Sequence, residues 1–293
     1  MPKKKAKLWG GAFAGGTHPV VEAFTESTGY EDRLVPHDIA GSVAHAAMLG
    51  RVGVLKKGEA TRIIRGLRRV HLEWSQGNFR LDPDYEDVHG NVEARLRGLV
   101  GPLAGKLHSG RSRNDQVALD ERLLLRELEE RLRGALRDAA GAWLNFGAKH
   151  QGFILPGYTH LQRGQPVLFG HWALAWVEMW LRDLGRLRHV REALDECPLG
   201  AAALAGSSLP LDRKDVARRL GFHRLSENSL DAVSNRDYLL DFSYALAMVM
   251  QHLSRLGEEV VLYSSQEFGF FRLGDAVATG SSLMPQKRNP DVA

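Results

Sequence analysis

Leu119, Leu123, Leu128, Leu132 and Leu136 recur at steps of four or five across a proline-free stretch running from Asp115 to about Lys149. That period is helical, and it is sustained for about ten turns. Glu127 with Arg131 and Glu129 with Arg133 supply i,i+4 charge pairs, placed by the pattern on the outer face. A helix this long needs apolar partners along its whole length. Two further stretches of the same character follow, one from about Val167 to Glu196 and a third, rich in Leu, Met and Val, from about Ser229 to Phe268.

No segment alternates cleanly, and no hairpin turn lies between two β-branched runs. The expectation is an all-α fold: a smaller helical N-terminal domain over residues 1–110, broken by Pro36, Gly50, Gly58, Gly77 and Pro83, then a long antiparallel helix bundle over 111–293. The boundary falls in "GKLHSGRSRND". Three long helices bury less apolar face than four or five would. The bundle is therefore expected to be incomplete at its C-terminus, finished either by partner chains or by further sequence, and a 293-residue chain alone is expected to aggregate or assemble only in part.

Composition removes several classes of function. The net charge of +4 is mild, and much of the excess lies in Lys3, Lys4, Lys5, Lys7 and "RIIRGLRRV", which suit a solvated terminus and helix face. No zinc-ligand spacing, groove-reading motif or aromatic-basic repeat points to nucleic acid or metal. Cys197 is the single cysteine, which excludes an internal disulfide framework and suits a buried apolar position in a reducing compartment. The longest apolar run, "FSYALAMVM", is too short to span a bilayer, and no secretory leader is legible. The reading is a soluble, cytoplasmic protein with no membrane or nucleic-acid partner.

Three loops carry chemistry. "HSGRSRNDQ" sets Arg111, Arg113 and Asn114 where the first long helix starts, so carboxylate-binding side chains join free backbone N–H groups there. Plain capping by Asn114 or Asp115, with the arginines in water, would account for the same residues. "LPGYTHLQRGQPV" projects Thr159 and His160 from a turn between two prolines, and a histidine beside a substrate is the default general acid or base. "GSSLMPQKRNP" offers Ser281, Ser282, Lys287 and Asn289. A serine hydroxyl becomes a base only where backbone N–H groups or a cation stabilise its alkoxide. The first helix is about 50 Å long at 1.5 Å per residue, so Asn114 and His160 lie at opposite ends of it. One site using both must be shared between subunits, which predicts a homo-oligomer.

"GSSLMPQKRNP" resembles the signature of the fumarase/aspartase superfamily. "SGRSRNDQ", "PGYTHLQRGQP", "EDVHGNVEARL", "LWGGAF" and "FTES" resemble its argininosuccinate lyase family, from about Leu8 to the last residue. The resemblance implies cofactor-free cleavage of argininosuccinate to arginine and fumarate by anti β-elimination, within a homotetramer. It implies Ser281 as base and His160 as acid, with Lys287 and Asn289 facing the substrate carboxylate. Ser27, Thr159, Arg113 and Asn114 would bind the rest, and Asp87, His89 and Asn91 would line the site. Family members continue past this signature to a glutamate that pairs with the catalytic histidine and to further helices. A sister lyase acting on adenylosuccinate, fumarate or aspartate, or a non-catalytic crystallin-like scaffold, is the alternative.

Overall fold

The computed structural model describes residues 17–293. The lysine-rich start and "LWGGAF" lie outside them. The chain divides into two compact units: residues up to Glu127 together with Ala193–Arg236, and Leu128–Glu192 together with Asp237–Ala293. The boundary expected after residue 110 falls inside the first unit.

Helices dominate, as the periodicity predicts. In order they are α1 (Pro19–Thr25), α2 (Thr28–Glu31), α3 (Val35–Arg51), α4 (Lys57–Ser75), α5 (Val88–Val100) and α6 (Arg113–Lys149). A hairpin of β1 (Ile154–Thr159) and β2 (Gln162–Leu168) follows, then α7 (Phe169–Leu194), β3 (Glu196–Cys197), α8 (Arg213–Arg219), β4 (Arg224–Leu225), α9 (Ser229–Ser234) and α10 (Asp237–Ser264). No described helix is long and apolar enough to cross a membrane.

The first unit is built on α3, α4 and α5. Ala60, Ile63, Leu67 and Val70 recur on one face of α4, and they join Met48, Leu49, Val92 and Leu96 in a solvent-free core. Gly66 lets α5 approach α4 closely, since a Cβ there would stand 2.6 Å from Leu96 and 2.9 Å from Val100. Cys197 belongs to the same core, and burial raises its thiol to about 11.

In the second unit α10 buries Tyr238, Phe242, Ala245, Val249 and His252 at steps of three and four. Aromatic rings fill the interior. Trp172 stacks near Phe169 and Phe271, both with centroids 5.4 Å away, and its indole N–H donates to Glu259 at 2.6 Å.

Three sequence expectations are corrected. The hairpin β1–β2 exists, antiparallel, with Thr159 opposite Gln162 and an irregularity between Pro156 and Tyr158. The third long helix is two: Asn235 turns extended and ends α9 before α10 begins, and α10 stops at Ser264 rather than Phe268. Glu129 is fully buried instead of facing outward, where it takes Arg133 at 3.1 Å and Arg191 at 3.4 Å.

Candidate active site

Helix α6 starts one residue before Asn114, because Ser112 and Asp115 cap it. Asp115 accepts the Ser112 backbone N–H at 2.9 Å, while the Ser112 hydroxyl accepts from Asn114 N at 3.4 Å. Asn114 and Asp115 are thus helical, neither being the N-cap the sequence suggested. The second Asp115 oxygen accepts from Gly200 N at 3.0 Å and Ala202 N at 2.8 Å, so it holds the 200–203 loop, and Asn114 Nδ2 donates to Ala203 O at 2.8 Å.

The arginines are not in water. Arg111 is buried and donates to Ser42 Oγ at 2.8 Å, and Arg113 Nε lies 3.1 Å from Asp87 Oδ2. Arg113 Nη1 is buried and has no hydrogen-bond partner among the described residues. Asp87 also caps α5, its Oδ1 accepting from Gly90 N at 2.7 Å. Ser27 reaches the same corner: its hydroxyl donates to Glu86 O at 3.2 Å, next to Asp87, where Glu86 has a φ of 73°. Ser27, Asp87, Arg113 and Asn114 are therefore half-buried or exposed, around the start of α6 and α5.

His89 and Asn91 are instead internal. Asn91 spends its amide on Asp82 N, Asp82 O and Asp87 O, shaping the loop before α5. His89 Nδ1 lies 3.0 Å from Asp38 Oδ1 and 3.5 Å from Asp120 Oδ2, all three residues being buried. With carboxylates on that nitrogen, it carries the hydrogen. Sequence reasoning missed Asp38, Ser42, His45, Gln116 and Asp120. The available signal was Gln116 and Asp120, four apart on a leucine-bearing helix face.

In the second unit, Thr159 and His160 stand at the hairpin tip. His160 and Leu161 form its two-residue turn with φ of 54° and 55°, a left-handed pair that non-glycine residues adopt only when the surroundings impose it. Tyr158 supplies that anchor, packing 5.4 Å from Phe268 and 6.3 Å from Tyr263. His160 is exposed and, among the described residues, its ring has no hydrogen-bond or ion-pair partner.

The signature loop closes on itself. Thr279 N donates to Asn289 O at 3.1 Å and Asn289 N to Thr279 O at 2.8 Å, while Arg288 ties it to Leu273 O and Asp275. Inside the loop Ser281 Oγ accepts two backbone N–H groups, Met284 at 3.2 Å and Leu283 at 3.3 Å. Lys287 is exposed, with its ammonium unpaired among the described residues.

The first unit thus holds two arginines at the start of a helix, and the second holds a histidine on a left-handed turn and a serine hydroxyl that accepts two backbone N–H groups. Residues 11–293 match the family described as lyase, and the chain belongs to that family, within the fumarase/aspartase superfamily. It is 55% identical over 284 residues to an argininosuccinate lyase of a Synechococcus strain, covering 97% of this chain and 58% of that protein. It is 51% identical over 287 residues to an argininosuccinate lyase of Gloeobacter violaceus, covering 98% and 61%. The chain thus spans about three fifths of the length of these relatives. An EDDS lyase variant with bound fumarate superposes with a TM-score of 0.82 at 32% identity, over 95% of this chain and 56% of that one.

Proposed function

We propose that the chain carries the catalytic machinery of an argininosuccinate lyase, releasing fumarate and arginine by anti β-elimination. The observation that carries this reading is the Ser281 hydroxyl, which receives two backbone N–H groups. Those dipoles stabilise an alkoxide, so Ser281 is the base that removes the proton beside a substrate carboxylate. Lys287 and the Asn289 amide face the charge that builds on that carboxylate, His160 protonates the departing guanidinium nitrogen, and Arg113 with Asn114, Thr159 and Ser27 holds the remaining carboxylates.

Arg113 and Asn114 occupy the first turn of a 37-residue helix, about 55 Å long. That length supports a site shared between subunits of a homotetramer. The names of the relatives favour argininosuccinate. The likeness to a fumarate-bound EDDS lyase supports a second reading, in which another amino-dicarboxylate is cleaved to fumarate by the same groups.

The test is fumarate release, followed by its ultraviolet absorbance, from argininosuccinate and in parallel from adenylosuccinate, aspartate and EDDS. Release from argininosuccinate, reduced about 10²–10⁴-fold in Ser281→Ala, is the expected result. Release from one of the others alone selects the second reading, and no release from any of them, with the protein assembled, sinks both.

A further inference from the structure

Asp120 lies in the second turn of α6, fully buried, and among the described residues no N–H group donates a hydrogen bond to either of its carboxylate oxygens. Asp38 faces it from α3 and His89 from α5. Arg111 acts on it from the loop before α6, as Arg113 does from the helix's first turn. Gly41 on α3 lets α6 come close at this level, since a Cβ there would stand 2.7 Å from Leu119 Cδ2.

Donors are divided unequally between the two acids. Asp38 Oδ1 receives the His89 N–H at 3.0 Å and the Gln116 amide, whereas Asp120 has only the longer 3.5 Å approach to His89. An ionised carboxylate with no donor in a dry interior is too costly to persist and takes up a proton instead. Two carboxyls in one site, moreover, do not both ionise. We propose that Asp120 carries a proton shared with Asp38, a one-proton carboxyl pair that locks the first turns of α6 to α3 and α5 and thereby positions Arg113 and Asn114.

The electrostatics agree with the geometry. Burial works to raise Asp38, but the His89 bond and charge, with Arg111 and Gln116, hold it down at about 2, so it stays the anion of the pair. Burial and the Asp38 charge push Asp120 well above the ordinary carboxylate range. A divalent cation is the competing occupant, because Asp38, His89 and Asp120 offer ligand atoms all within 4.8 Å of one another. The Arg111 charge beside the pair, and a Gln116 amide turned with its hydrogens toward Asp38, favour the proton.

A group whose folded value is raised contributes stability that is present below its unfolded value and lost as pH rises through the folded one. The unfolding midpoint of the wild-type chain therefore falls as pH climbs above the unfolded carboxylate value, and Asp120→Asn, whose amide replaces the acid O–H, removes part of that fall. Asp115 and Glu129 are also raised by burial, so the difference between the two proteins, not the wild-type slope, is the readout. An Asp120→Asn curve parallel to wild type overturns the proposal. So does a midpoint raised by cobalt(II) in wild type but not in Asp120→Asn. Should the variant fail to fold, ¹³C-aspartate NMR of the wild type decides: one buried carboxyl protonated at neutral pH is expected, and all of them ionised refutes the pair. None of these measurements depends on lyase activity.

Discussion

Arg113 and Asp87 are bound to each other, guanidinium Nε to Oδ2 at 3.1 Å, and the same aspartate caps α5 through its other oxygen. The two jobs separate by substitution. Asp87→Asn keeps an oxygen for Gly90 N and loses the charge facing Arg113; Asp87→Ala loses both. Denaturant unfolding of Asp87→Ala is expected to show a loss of about 1–2 kcal/mol, mostly the cap, and of Asp87→Asn less than half of that. Equal losses would mean the ion pair, not the cap, holds this corner.

His45 makes the first unit acid-sensitive. Its Nε2 lies 3.0 Å from Ser109 O and its Nδ1 is buried without a partner among the described residues, with the charges of Arg111 and His108 acting on it. Burial, reinforced by Arg111, lowers the imidazole to about 3 from 6.5. Between those values the unfolded chain binds the proton and the folded one does not. Stability is thus full above the unfolded value and falls as pH drops below it, by on the order of a few kcal/mol near pH 4. His45→Gln, which keeps a donor for Ser109 O, should flatten unfolding free energy against pH over that interval. Identical slopes for the two proteins would assign the acid sensitivity elsewhere.

Helices were legible because leucine spacing reports burial directly: α6 and α7 lie within a few residues of where periodicity puts them. The hairpin was not, since Pro156, Gly157, Gly164 and Pro166 interrupt any alternation, and its turn is His-Leu rather than the Asn-Gly such turns favour. Tertiary packing of Tyr158 imposes that turn, and no local rule sees it. The positions of Arg113, His160 and Ser281 in loops or at a helix start were readable from glycine and proline punctuation. Their surroundings were not. Glu129 reads as a surface charge on an amphipathic helix, and only the three-dimensional pairing with Arg133 and Arg191, as of Asp38 with His89 and Arg111, explains how a dry interior holds such groups.

The hairpin turn lets strain and chemistry be tested apart. Leu161 at φ 55° costs about 1 kcal/mol or more relative to glycine in that conformation. Leu161→Gly is expected to raise stability by about 0.5–1 kcal/mol, after the extra chain entropy of glycine is set against the relieved strain. His160→Asn keeps a residue that tolerates the left-handed region but lacks the imidazole. Its unfolding should match wild type while fumarate release drops about 10²–10⁴-fold. A His160→Asn protein that keeps its rate would remove His160 from the proposed acid role.

Helix α10 presents apolar side chains on the side opposite its buried face: Leu240 is 71% exposed, Met250 62% and Tyr244 58%. Three such residues on one helix exceed what a solvated surface needs, and with Leu174 and Leu181 exposed on α7 they suit helices from other copies of the chain. Charging the stripe tests that without touching the core. Leu240→Glu with Met250→Glu should shift the sedimentation-velocity distribution toward the monomer while leaving far-ultraviolet circular dichroism unchanged, because both side chains already face outward. If Ser281 and Asn114 from different subunits build one site, fumarate release falls in proportion to the lost assembly. An assembled, fully active double variant would exclude this face from the subunit contact and with it the shared site it is expected to support.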